Sequence, residues 1–397
     1  MCDKNLRPIS LAGILASTLT ALLILPFVGC SNSSSTPPPP PPSGNTNFVY
    51  TANAAGTPST VSVLASSPTT GALSSVSGSP YNTGSSSRAL KVDPAGKYVY
   101  VANTASGDIS AFTINPVTGA LSPVAGSPFP VEAGVNGIAI DPTGAYLYAV
   151  SGSSANLWEF SIDNSGALHN LATSPVLIDA SGSQSGALTI DPSGKFLYVT
   201  ANAAAGTSIY AFARDTASGT ASLIAGAIYS IDLFSNSIIT DPSGKFVLAV
   251  SNGSSTLFGL IAIFSLDSTT GKLAEVATSP FQTGSDPSSV TVDPSGKFVY
   301  VANTSDATIS AFTLNTTSGV SGTVAGSPFP SGGHGTINGP LGIVVDAAGK
   351  YIYVCNASND ISVFTFSTQT GALTALPGSP FALDGNGPNA IAVVQKQ

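Results

Sequence analysis

Charge is scarce in this 397-residue chain, with Asp, Glu, Lys and Arg together making up only 8% of it. Helical proteins draw on Glu, Lys, Leu and Ala, whereas Gly, Ser, Thr and Pro suit short strands and tight turns. The second group dominates here, with 41 Gly and 29 Pro, and no stretch carries a 3.6-residue apolar period. Helical architectures are thereby excluded. Cations are scarcer still: twelve Lys plus Arg stand against twenty Asp plus Glu, for a net charge of −8. Phosphate neutralisation needs clustered cations, so nucleic acid is not a partner. Two histidines, His169 and His334, and three cysteines are too few for a zinc site or a disulfide framework. No glycine-rich phosphate loop precedes a helix.

The one long apolar run, from about Ile9 to Val28, follows the cations Lys4 and Arg7 and ends in Phe27-Val28-Gly29-Cys30. This arrangement resembles a bacterial lipobox, in which the cysteine is acylated and becomes the new N-terminus. Residues 1–29 are then a lipoprotein signal peptide and Cys30 the lipidation site. The alternative is a single membrane-spanning anchor, because the run is nearly long enough to cross. On either reading the rest is exported, and the membrane is met only through the anchor. Ser31 after Cys30 resembles outer-membrane sorting. Residues 30–46 form a Ser/Pro-rich tether. Its six consecutive prolines, Pro37 to Pro42, make a stiff spacer of roughly 19 Å at about 3.1 Å per residue.

What the chain has in abundance is repetition. Asp-Pro-x-Gly turns begin at Asp93, Asp141, Asp191, Asp241 and Asp293, and a variant begins at Asp346, with spacings of 48, 50, 50, 52 and 53. A degenerate first copy at Ser43-Gly44 precedes Phe48-Val-Tyr-Thr-Ala-Asn, making seven. Asp and Pro suit the first positions of a type I turn, and Gly the positive-φ position that follows. Each unit holds four strand-like stretches. The third carries a central apolar residue, at Leu64, Phe112, Phe160, Phe212, Phe264, Phe312 and Phe364. The fourth often ends in Ser-Pro-Phe, where proline suits an edge. Four strands in about fifty residues, seven times over, predict an all-β, seven-bladed β-propeller across residues 47–397. The first unit lacks an inner strand and the chain ends with a spare one, Asn389 to Val394, so the ends should share a blade. Cys355, inside a strand, reads as a small buried hydrophobe.

The repeated Asp-Pro-Ser-Gly-Lys-Phe-Val-Tyr-Val-Ala-Asn, with Thr-Gly-Ala-Leu and Gly-Ser-Pro-Phe, resembles the lactonase family of seven-bladed propellers, close to YVTN-type repeats, over residues 43–397. That family includes the propeller type of 6-phosphogluconolactonase. The resemblance implies an Arg-His pair opening an inner strand and a Glu after the second. Arg88 fits, but Ala89 replaces the histidine, and Thr104 and Thr304 stand where Glu is expected. With three arginines in all, a phosphorylated sugar is a poor substrate for this chain.

By analogy with other propellers, the candidate site is the channel mouth, where connections enter the inner strands. The residues five before each Asp-Pro turn include Arg88, Asn136, Asn236 and Ser288, with Asn389 matching on the last strand. The entering loops add Glu132, Asp179, Asp232, Asp286, His334 and Asp384. No metal ligand set is evident, yet carboxylates converging with Asn could hold Ca²⁺. They could equally serve as general acid and base, with Arg88 facing an oxyanion. Three readings follow. The first is a lipid-anchored binding module of the cell envelope for a small molecule, a carbohydrate or a protein. The second is a hydrolase of a sugar lactone, as the resemblance implies. The third is a metal-dependent enzyme using an acidic mouth.

Overall fold

The computed structural model describes residues 46–179, 184–203, 206–231, 235–252, 258–277, 279–335 and 339–395. The expected signal peptide, Cys30, the tether up to residue 45 and the degenerate turn copy at Ser43 lie outside the described residues, as does Asp232. Every regular element described is a strand, and the strands form seven antiparallel sheets in the order of a propeller. Blade 2 shows the plan: inner strand Ser87–Val92, second strand Tyr98–Asn103, third strand Asp108–Ile114, then an outer strand in two pieces, Leu121–Pro123 and Phe129–Pro130. The first blade takes its inner strand from the other end of the chain. Pro388–Gln395 pairs antiparallel with Asn47–Asn53.

The core lies between blades rather than within them. Phe48, Tyr50 and Val63 of blade 1 pack with Leu90, Val99 and Phe112 of blade 2. Val49 and Leu64 pack with Tyr353 and Val363 of blade 7, closing the circle. Because both faces of each sheet are covered, the second strands are continuous apolar runs instead of alternating ones. Phe298–Asn303 is buried at every position.

The turn aspartates are consumed by their own turns. Asp293 Oδ1 accepts the backbone N–H groups of Lys297 and Phe298, each at 2.7 Å, and Oδ2 accepts that of Ser295 at 3.0 Å. Asn103 is likewise spent locally, donating to Asp108 at 2.7 Å and Ser110 at 2.9 Å on the third strand.

The Gly-Ser-Pro motif has a definite use. It interrupts the outer strand, and its serine accepts the third-strand N–H left at the gap: Val63 to Ser79, Ala111 to Ser127 and Val363 to Ser379, each at 2.9 Å. Blade 4 has Ala227 and Ile228 at the Ser and Pro positions, and its outer strand Ala221–Ile231 runs unbroken.

A second device ties most blades to the next. The hydroxyl of Tyr50 donates to the carbonyl of Gly119 at 3.0 Å, Tyr100 to Gly166 at 3.0 Å, Tyr198 to Gly271 at 2.9 Å and Tyr300 to Gly371 at 2.9 Å. The receiving glycine must be glycine. Gly271 has a φ of +71°, and a Cβ there would fall 2.3 Å from the Phe196 ring. Blade 5 has Leu248 at the tyrosine position and lacks this bond.

These phenols give the fold an alkaline limit. Burial pushes Tyr100, Tyr198 and Tyr300 well above the ordinary tyrosine value, and Tyr353 to about 12. The fold therefore holds these phenols protonated, whereas the unfolded chain releases the protons near pH 10. The resulting stability is complete below about pH 10 and is lost as pH rises toward the folded values. Urea unfolding should give a flat stability from pH 7 to 9 and a steep fall above 10. Tyr198→Phe should cost about 1 kcal/mol at pH 8 and lessen that slope. A stability unchanged up to pH 12 would contradict the account.

Candidate functional site

The channel mouth is shaped by a backbone irregularity repeated from blade to blade. In the inner strands of blades 2, 3, 5, 6 and 7 the register with the second strand slips by one residue, as between Ser87 and Ala89 or between Pro287 and Ser289. A bulge takes one residue out of the alternation and re-aims it. The bulged residues are Arg88, Asn136, Asn236, Ser288 and Leu341. They line, with Asn389, one cavity of about 790 Å³ running between the inner strands. Small residues behind them, among them Ala89, Gly137 and Gly342, leave this space open.

Side chains at the mouth also knit the ring together. Asn236 donates to the carbonyl of Pro287 at 3.2 Å, Ser288 to that of Pro340 at 2.9 Å and Asn389 to that of Ser87 at 3.3 Å. Each bond reaches the inner strand of the next blade. The amide nitrogens are thus committed, while the carbonyl oxygens of Asn236 and Asn389 have no partner among the described residues. Arg88 is exposed to the channel and makes no ion pair among them.

The loop residues separate into two groups. Asp286 lines the cavity, with a positive φ of 55° and its backbone carbonyl taken by the N–H of Thr304 at 2.9 Å. It belongs to blade 6, three blades from Arg88 in a ring of seven, so the two charges stand on opposite walls. Glu132 lies outside the lining, accepting from Ser154 Oγ and, at 3.4 Å, from Asn156. Its short loop turns it onto the connection between the second and third strands of the blade it enters.

His334 also lies outside. Its side chain is 72% exposed and its Nδ1 sits 3.3 Å from Asp360 Oδ2. Ser358 Oγ donates to the same carboxylate oxygen at 2.8 Å, so the hydroxyl addresses the acid and not the imidazole. This is not the order of a nucleophilic triad. Asp179 and Asp384 are absent from the lining too. Among the described residues, no three His, Cys, Asp or Glu side chains lie close enough to hold a metal ion.

One lining residue escaped the sequence reading. Lys91 stands three positions after Arg88, in the middle of the channel wall, where the strand alternation alone gave no reason to single it out. Its side chain is exposed to the channel, and desolvation by the surrounding walls lowers the pKa of its ammonium from the ordinary lysine value. Cys355, by contrast, is fully buried, and burial pushes its thiol up to about 12. It packs as an inert hydrophobe.

The profile of the lactonase seven-bladed β-propeller matches residues 42–137, 129–285, 229–333 and 277–388, nearly the whole described chain. No curated protein matches in sequence. Among solved structures, a candidate 6-phosphogluconolactonase of Bacteroides uniformis superposes with a TM-score of 0.72 at 18% identity, covering 88% of this chain and 99% of that one. A protein from Lactobacillus plantarum gives 0.71 at 14% identity, covering 88% and 100%. The periplasmic gluconolactonase of Pseudomonas aeruginosa gives 0.68 at 15% identity, covering 88% and 99%.

Proposed function

The chain belongs to the lactonase family of seven-bladed β-propellers, and from that premise we propose that its channel mouth hydrolyses an unphosphorylated sugar lactone at the cell envelope. The observation that supports this most is the placement of a cation and a carboxylate, Arg88 and Asp286, on opposite walls of a polar channel whose lining holds one further charge, Lys91. Asp286 takes a proton from a water that attacks the lactone carbonyl. Arg88 donates hydrogen bonds to the oxyanion as the tetrahedral intermediate forms. The ring C–O bond then breaks, the departing alkoxide takes up the proton, and a hydroxy acid leaves. Gluconolactonase activity carried by a relative of the same fold is consistent with this chemistry. The missing His and Glu at Ala89, Thr104 and Thr304 keep a phosphorylated substrate out of the proposal.

The test is lactone hydrolysis followed by proton release. Hydrolysis of glucono-1,5-lactone should exceed the buffer rate, and Arg88→Ala and Asp286→Asn should each lower kcat/KM about 100-fold or more. Added chelator should leave the rate unchanged; loss with chelator alone would transfer the activity to a bound metal such as Ca²⁺. Absence of turnover in every condition would leave the binding-module reading.

Lipid attachment at Cys30 and outer-membrane residence are part of the same proposal, resting on the lipobox-like run and the tether. Growth with a labelled fatty acid should label the chain, and Cys30→Ala should abolish the label. Persistent labelling of that variant would refute the assignment.

A further inference from the structure

Arg88 and Lys91 share the inner strand Ser87–Val92 and both open into the channel. In an unbroken strand residues three apart point to opposite faces. Here the register shift between Ser87 and Ala89 removes Arg88 from the alternation, so both cations reach the same space, about 10 Å apart along the backbone at about 3.3 Å per residue. At the register position of Lys91 the other six inner strands carry Ala139, Thr189, Ile239, Thr291, Val344 and Ala392, none charged. Neither cation has a hydrogen bond or ion pair among the described residues. The remaining lysines of the repeats, such as Lys97 and Lys297, sit on the opposite rim beside the aspartate turns.

Two unpaired cations facing one channel make a local positive potential, where a protein of net charge −8 would otherwise repel anions. We propose that Lys91 and Arg88 form a carboxylate-binding subsite inside the channel, and that its ligand is a sugar acid. Lys91 supplies a point charge at mid-depth and Arg88 a planar fork at the mouth. Level with Lys91, Thr189 and Thr291 carry hydroxyl groups, and at the mouth Asn236 and Ser288 offer acceptor oxygens, the neutral partners that a chain of hydroxyl groups requires. The lowered pKa of Lys91 agrees with an enclosure that an incoming carboxylate would relieve. This assignment does not rest on lactone hydrolysis, because it concerns binding of the acid itself.

The experiment is calorimetric titration of the full chain with gluconate, glucose and inorganic phosphate, for the parent, Lys91→Met, Lys91→Arg and Lys97→Met. Gluconate should bind, glucose should not bind at the same concentration, and phosphate should be at least about tenfold weaker. Lys91→Met should weaken gluconate at least about tenfold, the scale of one charge-assisted hydrogen bond. Lys91→Arg should retain binding and Lys97→Met should leave it unchanged. Equal binding of gluconate and glucose would overturn the proposal, as would a Lys91→Met protein that binds like the parent. Phosphate binding as tight as gluconate would also overturn it, reducing the pair to a general anion trap. Should Lys91→Met fail to fold, loss of gluconate binding in the charge-retaining Lys91→Arg variant has the same force. Hydrolysis can be absent while gluconate binds, so the two proposals fail separately.

Discussion

Deleting the last ten residues, Pro388 to Gln397, is expected to leave a protein that aggregates on expression or melts more than about 10 °C lower. The segment Pro388–Gln395 is the inner strand of blade 1, paired with Asn47–Asn53 from Asn47 opposite Gln395 to Asn53 opposite Pro388. All seven residues of Asn47–Asn53 are buried in the intact ring. Without its partner this strand becomes a bare apolar edge, the kind of surface that natural sheets protect or abolish. The loss also removes Ile391 and Val393 from the cluster that joins blades 7 and 1. One wall of the channel goes with them. Closing a ring between residues so far apart in sequence carries a loop entropy that this pairing does most to offset. A permuted chain with the same strand fused ahead of Thr46 by a short turn should recover the parent melting temperature, because it restores the pairing as a local hairpin. A truncated protein that melts with the parent would refute closure by the last strand.

Arg214→Ala is expected to destabilise the propeller by about 3–5 kcal/mol, the range for breaking a buried ion pair from one side. Arg214 and Asp141 meet at 2.8 Å with 1% and 0% of their side chains exposed. The guanidinium also donates to the Tyr148 hydroxyl at 2.6 Å, linking blade 4 to blade 3, and to the Gly194 carbonyl of its own blade at 2.5 Å. Truncation would take a donor from all three acceptors and leave a cavity. Yet the equivalent third-strand positions in other blades are Ile114, Ile162, Leu266 and Leu314. The turn aspartates of the blades before them, such as Asp191 and Asp241, are satisfied by donors of their own turns, as Asp141 could be through Thr143, Ala145 and Tyr146. Arg214→Leu should therefore cost less than half as much as Arg214→Ala in the same urea titration. Equal losses would show that the charge itself, and not the filled volume, is what blade 4 requires.

Several features could be read from the chain because they are local. An Asp-Pro-x-Gly turn is specified within six residues, and Asp293 satisfies the same backbone donors whatever surrounds it. The third-strand aromatics, Phe112 and Phe312 among them, are buried wherever the repeat places them. The mouth residues Arg88, Asn136, Asn236, Ser288 and Asn389 were reachable by counting back from those turns, and Asp286 by its place in the entering loop.

Other features belong to the ring. Glu132 and His334 occupy loop positions much like that of Asp286, but Ser154 and Asn156 hold one and Asp360 the other, away from the channel. Nothing in their spacing distinguishes them, since loop direction depends on contacts with the strand connection of the blade each loop enters. The Tyr–Gly clasp was invisible for the same reason. Tyr198 and Gly271 are 73 residues apart and meet only when two sheets stack.

From residues alone come the number of blades, the strands within each, the turns that join them and the sharing of a blade by the two ends. All of these rest on interactions spanning a few residues or on a repeat that counts itself. Only the tertiary structure decides which polar groups face the central space, because that depends on a one-residue register slip and on the radius at which seven sheets converge. Lys91 is the clearest case: in the sequence an ordinary residue of a strand, in the fold a cation enclosed by seven walls.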